Sequence, residues 1–255
     1  MASLLLTRLR QGKRTLAFPD AAPSLPDRFR GLPIIDQSRC PSDCDACVEA
    51  CPTDAITNDG PVTIDLGRCL FCPECANACP QAALEFGSDY RLAASERADL
   101  MLPAGRSLPR ARQLADDIHR ILGRALKLRQ VSAGGCAGCE ADVNVLSTVT
   151  YDLSRFGIQF VASPRHADGL LITGPVTRNM RLALEKTYAA IPAPKIVIAV
   201  GACAISGGPF RDHGEVLNGA GSILSIDLFV PGCPPHPISI LDGILRLVGK
   251  IKSVA

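Results

Sequence analysis

The chain has no tryptophan, and aromatic residues make up only 4% of its 255 positions. A domain so poor in rings for its core needs another source of stability, and bound metal is one. No run of eighteen apolar residues is present, so no segment reads as a bilayer-spanning helix. No secretory signal is legible either. Leu4-Leu5-Leu6 is followed by Arg8, Arg10, Lys13 and Arg14 before an apolar region can form, and Leu9 separates the two arginines that a twin-arginine signal needs side by side. The expectation is a cytoplasmic chain with no transmembrane segment of its own. Around Gly134-Gly135 and Gly207-Gly208 neither a complete Gly-x-Gly-x-x-Gly nor a Walker pattern occurs, which argues against a nucleotide loop. No basic patch carries interleaved aromatics, so nucleic acid is not an expected partner.

What the chain does have is cysteine, twelve in all. In a reducing compartment these read as metal ligands rather than as a disulfide framework. Charge is also unevenly placed. Between Asp36 and Glu85 nine carboxylates face only Arg39 and Arg68, a net −7 that leaves +9 for the remainder of a chain whose total is +2.

The order of segments follows from repeats and punctuation. Residues 1–34 form a basic lead in which Pro19, Pro23, Pro26 and Pro33 forbid one long helix. Residues 35–86 contain an internal repeat. Ile35-Asp36-Gln37-Ser38-Arg39-Cys40 returns 29 residues later as Ile64-Asp65-Leu66-Gly67-Arg68-Cys69, and each copy closes on Cys-Pro, at Cys51-Pro52 and Cys79-Pro80. The duplication predicts a pseudo-twofold α+β ferredoxin-like domain. Residues 87–125 hold no cysteine and read as a linker with a helix around 111–126. From Leu126 short apolar runs (126–131, 159–161, 169–173, 195–200, 226–230) alternate with helical stretches (141–156, 178–190, 238–250). This alternation predicts a parallel-sheet α/β domain over 126–255.

The cysteines fall into two kinds of constellation. Cys40-x3-Cys44-x2-Cys47-x3-Cys51-Pro52 and Cys69-x2-Cys72-x2-Cys75-x3-Cys79-Pro80 are two-cluster ferredoxin runs, in which three cysteines hold one cubane and the fourth, before proline, reaches the other. The expected ligand sets are therefore Cys40, Cys44, Cys47 and Cys79 for one [4Fe–4S] cluster, and Cys69, Cys72, Cys75 and Cys51 for a second. The first run has one residue more than the second between its leading cysteines, and zinc binding is the competing reading for it. Cys136, Cys139, Cys203 and Cys233 each follow a predicted strand, where ligands of open α/β sheets sit. Glycines surround them, as expected where backbone must approach a bulky centre. His119, His166, His213 and His236 have no mutual spacing typical of a metal site and read as surface or loop residues.

Gly135-Cys136-Ala137-Gly138-Cys139-Glu140, Gly174-Pro175-Val176-Thr177, Gly201-Ala202-Cys203-Ala204 and Pro231-Gly232-Cys233-Pro234-Pro235 together resemble the small, cluster-bearing subunit of [NiFe]-hydrogenases and its relative in respiratory complex I. The resemblance covers about residues 126–255. It implies a flavodoxin-like domain whose four matching cysteines hold a third [4Fe–4S] cluster, the one nearest a catalytic site on a partner subunit. Residues 1–86, with a lead ending Phe29-Arg30-Gly31, resemble the two-cluster ferredoxin subunit of formate hydrogenlyase-type complexes.

Two residues between Cys136 and Cys139, and no cysteine after Cys233, resemble the membrane-bound, complex I-like group 4 hydrogenases; His236 stands where that family often has arginine. The resemblance implies an iron–sulfur electron-transfer subunit on the cytoplasmic face of the inner membrane, with the Ni–Fe site on a large subunit and no catalytic residue here. Its implied partners are that large subunit, membrane-arm subunits, and a formate dehydrogenase or soluble ferredoxin. Glu140 reads either as a proton relay beside the third cluster or as a carboxylate placed at a helix N-terminus. The rival functions are a complex I-like respiratory module whose partner lacks nickel, and a zinc-stabilised interaction protein.

Overall fold

A computed structural model describes residues 2–41, 43–123 and 125–251. After helix α1 (Ala2–Gln11) the lead does not run straight to the first domain. It crosses the second: the Leu16 amide donates to the Thr150 carbonyl at 2.8 Å, Arg155 donates to the Phe18 carbonyl at 2.7 Å, and the Phe18 ring is buried in that domain's core.

The repeat at 35–86 folds as two βαβ halves. These are β1 (Pro33–Ile35), α2 (Ala46–Glu49) and β2 (Ile56–Thr57), then β3 (Thr63–Asp65), α3 (Glu74–Ala78) and β4 (Leu84–Phe86). The outer strands pair antiparallel with Ile35 opposite Leu84, and the inner ones with Ile56 opposite Ile64. Equivalent aspartates start each half in the same way. Asp36 Oδ1 accepts from the Ser38 amide at 3.1 Å and Asp65 Oδ1 from the Gly67 amide at 2.9 Å, each bending the chain toward the following cysteine.

The stretch expected as a linker does more than link. Its strand β5 (Met101–Pro103) adds to β3, with Leu102 opposite Ile64, and Ala94 exchanges two backbone hydrogen bonds with Phe229 of the second domain. The helix expected over 111–126 is only α4 (Asp116–Leu122). The preceding backbone is committed elsewhere: Ala111 donates to the Ala93 carbonyl, Arg112 to Ser95 Oγ and Leu114 to the Leu247 carbonyl.

The second domain comprises β6 (Leu126–Ser132), α5 (Gly138–Val145), β7 (Ile158–Phe160), β8 (Gly169–Thr173), α6 (Arg178–Ala190), β9 (Ile196–Val200), α7 (Ala202–Ser206), β10 (Leu228–Val230) and α8 (Pro237–Leu247). All five strands are parallel in the spatial order β7-β6-β8-β9-β10. That is the flavodoxin-like order 2-1-3-4-5. β8 and β9 are buried along their whole length, as their unbroken apolar sequences require. The helix expected over 141–156 stops at Val145. Ser147-Thr148-Val149-Thr150 is a run of hydroxyl and β-branched residues, and Thr148 Oγ1 takes the Val145 carbonyl at 2.7 Å.

The two domains share a core in which Leu66, Leu92 and Leu100 meet Ala199, Ala204, Ile205 and Phe229. Ser206 Oγ donates across the boundary to the Gly67 carbonyl at 2.9 Å. At Gly67 a Cβ would stand 2.8 Å from the Ile205 side chain, so only glycine admits this approach.

Helix α8 is buried throughout, and it carries Asp242 and Arg246 joined at 2.7 and 3.1 Å. Burial pushes the Asp242 carboxyl above its ordinary value although Arg246 pulls it down, so this pair is sensitive to losing either member. Arg246→Met is expected to cost about 3–5 kcal/mol and the double change Asp242→Leu/Arg246→Met far less, as measured by denaturant unfolding.

Candidate iron–sulfur sites

None of the twelve cysteines is joined in a disulfide, and the fold gathers them into three groups of four. Cys40 ends the turn after β1, Cys44 lies in the next loop, Cys47 sits in α2 and Cys79 closes α3. These four line one cavity with Pro41, Ala46 and Pro80. Cys69, Cys72 and Cys75 of the second half, with Cys51 from just beyond α2, line another, walled by Ile56, Ile64, Leu70 and Phe86. The last cysteine of each run has therefore crossed to the other half. Cys51 and Cys79 are held alike, their sulfurs accepting from the Ala55 and Ala83 amides at 3.2 Å each, four residues on. The Phe71 amide likewise donates to Cys69 Sγ at 3.3 Å.

The third group assembles at the carboxyl end of the parallel sheet. Cys136 and Cys139 follow β6, Cys203 follows β9 in α7, and Cys233 follows β10. Glycine makes this approach possible. A Cβ on Gly201 would lie 2.5 Å from Cys139 Sγ, and one on Gly208 would lie 2.8 Å from Cys203 Sγ.

Electrostatics expresses the same grouping. Burial, then Cys44 and Cys79, push the Cys40 thiol up; burial, then Cys40 and Cys79, do so for Cys47. Burial drives Cys69 to about 12 and Cys75 to about 11, each aided by Cys51 and Cys72. Burial and then Cys233 and Cys136 drive Cys203 to about 12, and Cys139 rises too, through burial and then Cys203 and Cys233. Thiols placed so close cannot ionise together at neutral pH unless positive charge sits among them. The donor sets therefore fit a metal centre that binds four thiolates.

The groups stand in a row. Cys47 of the first acts on Cys75 of the second, and Cys72 of the second acts on Cys233 of the third. Between the last two lies a cavity of about 330 Å³ lined by Leu70, Phe71, Cys233, Phe29, Arg30 and His236, among others. Arg30 Nε donates to the Phe71 carbonyl at 2.5 Å, and Phe29 meets the His236 ring edge to face at 5.4 Å. His236 Nδ1 accepts from the Ile238 amide, which starts α8. His119, in α4, has Nε2 against the Val248 carbonyl at 3.2 Å, and His213 Nδ1 accepts from the Glu215 amide.

Glu140 lies in the first turn of α5, which begins at Gly138 rather than at Ala141. Its Oε1 accepts from the hydroxyls of Ser132 and Thr173, the latter at 2.7 Å, and so clamps α5 to the ends of β6 and β8. Burial raises the carboxyl, but the two hydroxyls outweigh it and hold Glu140 below its ordinary value. Ser132 and Thr173 escaped notice in the sequence, where nothing marks a hydroxyl as the partner of a distant carboxylate.

Residues 136–247, which contain the whole third group, match the family described as NADH ubiquinone oxidoreductase, 20 Kd subunit. A probable membrane-bound hydrogenase subunit mbhJ of Pyrococcus furiosus is 41% identical over 135 residues, 53% of this chain and 81% of that protein. The chain belongs to this family. Formate hydrogenlyase subunit 7 of Escherichia coli is 43% identical over 51% of this chain and 51% of its own length. An NADH-quinone oxidoreductase subunit of Bacteroides thetaiotaomicron is 43% identical over 47% of this chain and 60% of its own. The 20 Kd-type match begins at Cys136, so the eight cysteines of the first two groups lie outside it.

Thr173 is fully buried, and Glu140→Ala removes the acceptor of its hydroxyl. The substitution is expected to lower stability by about 1–3 kcal/mol in denaturant unfolding, with Thr173→Val costing less because it removes the donor as well as the need for an acceptor.

Proposed function

We propose that this chain is the electron-relay subunit of a membrane-associated [NiFe]-hydrogenase of the formate hydrogenlyase type, carrying three [4Fe–4S] clusters. Cys40, Cys44, Cys47 and Cys79 would hold the first, Cys51, Cys69, Cys72 and Cys75 the second, and Cys136, Cys139, Cys203 and Cys233 the third. The observation that carries the reading is the row of three four-thiol groups, joined through Cys47 and Cys75 and through Cys72 and Cys233. Clusters bound there would supply one-electron transfer along the row, between a partner's active site and an external donor or acceptor.

The chain's own residues fix and tune that row. Amides of Ala55, Phe71 and Ala83 donate to ligand sulfurs and favour their anionic form. The packed boundary around Gly67 and Ile205 keeps the second and third groups at a constant separation. Glu140 holds α5, and with it Cys139, against the sheet; we also assign it a place in proton movement at the partner's side of the third cluster.

The partners in this reading are a large subunit with the Ni–Fe site, membrane-arm subunits on the cytoplasmic face of the inner membrane, and a formate dehydrogenase or soluble ferredoxin. Catalysis would reside on the large subunit. A second reading is a complex I-like respiratory module whose partner lacks nickel. It draws on the identity to the NADH-quinone oxidoreductase relative, as high as that to formate hydrogenlyase subunit 7. Against it stands the pair Cys136-x2-Cys139, which resembles the hydrogenases.

The purified chain is expected to contain about twelve iron and twelve sulfide. Gly201→Ala, which drives a methyl into Cys139 Sγ, is expected to lose about four of each and leave the N-terminal sites loaded. Zinc without sulfide would reject all three clusters. Hydrogen-dependent dye reduction by the complex isolated through this chain tests the hydrogenase; a complex that reduces dye only from another donor supports the second reading.

A further inference from the structure

Helix α1 has a surface that the relay does not use. Leu4, Leu6 and Leu9 are 74%, 54% and 81% exposed, although leucine in a short helix normally finds a core. At about 100° per residue, Leu6 and Leu9 share one face with Arg10 at its edge, while Arg8 lies on the other side of the helix beside Leu4. Lys13 and Arg14 follow directly. The first nineteen residues contain these four basic side chains and no acidic one. The helix is also held at its base. Beyond it, Thr15 Oγ1 donates to the Val149 carbonyl at 2.9 Å and the Leu16 amide to the Thr150 carbonyl, and Val149 itself is 68% exposed. The chain just beyond α1 is thus fixed to the loop that follows α5, the helix carrying Cys139.

We propose that α1 is a membrane-surface helix that lays its leucine face into a bilayer rich in anionic lipid. Exposed Leu6 and Leu9 with Arg10 beside them, in a stretch whose first nineteen residues hold four cations and no carboxylate, match the chemistry of such a surface: acyl chains take the leucines and lipid phosphates take the cations. Ten residues give a helix about 15 Å long, half the thickness of a hydrocarbon core, so α1 lies on the bilayer rather than across it. No helix among the described residues is long and apolar enough to cross. The inference deepens the membrane-complex reading above by naming the element that meets the lipid, and it orients the third cysteine group's helix α5 toward the membrane.

The test is flotation of the full, iron-loaded chain with vesicles of phosphatidylcholine alone or mixed equally with phosphatidylglycerol. Binding is expected only to the anionic vesicles and is expected to weaken as salt is raised. Leu6→Glu/Leu9→Glu is expected to abolish it, and Arg8→Gln/Arg10→Gln to weaken it roughly 30-fold. Both variants change exposed side chains, and unchanged iron content and circular dichroism exclude misfolding. Unaltered binding by the double glutamate variant overturns the proposal. So does failure of the native chain to bind either vesicle; if the glutamate variant then falls out of its isolated complex, the face covers a protein subunit instead. Iron, sulfide and hydrogen-dependent dye reduction are measured on the same preparations, and their failure with vesicle binding intact overturns the relay reading alone.

Discussion

Four thiols brought within mutual reach repel one another's ionisation, and this molecule imposes that condition three times. Burial is the largest cause at each perturbed cysteine, and the neighbouring sulfurs add to it. Positive charge placed among such desolvated sulfurs would offset the cost of gathering them. The glycines at 201 and 208, the amides aimed at sulfur and the crossed Cys51 and Cys79 let the backbone close tightly around each group of sulfurs.

The second consequence is a fixed order. The ferredoxin-like domain does not hang on a tether. Its β3 pairs with β5 from the following segment, its Gly67 carbonyl is held by Ser206, and its core continues into Ala199, Ala204 and Phe229. The lead helps too, since Phe18 is buried in the second domain while Arg30 holds the Phe71 carbonyl in the first. The boundary between the two domains therefore packs like a core and holds the second and third cysteine groups in a fixed relation. Here the backbone between Gly87 and Leu114 supplies much of that boundary.

Much of the architecture was legible because its signals are local. The 29-residue repeat foretold two equivalent halves, and Asp36 and Asp65 indeed start them alike. Strands at 169–173 and 196–200 were marked by their apolar runs, and the helix at 178–190 by the longer mixed stretch between them. Where the reading overreached, tertiary bonds were the reason. Residues 111–115 look helical but spend their amides on Ala93, Ser95 and Leu247. Residues 146–156 were joined to α5 although Thr148 closes that helix by bonding the Val145 carbonyl.

By itself the sequence determined the cysteine spacing, the repeat with its crossed fourth cysteines and the strand–helix alternation of the second domain. These rest on covalent order and on hydrophobic period, which neighbouring residues fix among themselves. Only the tertiary structure decided which sulfurs face each other across the domain boundary, that Glu140 binds Ser132 and Thr173, and that Phe29 meets His236. Such contacts join residues far apart in the chain, and they exist because the β7-β6-β8-β9-β10 sheet brings several strand ends to one place.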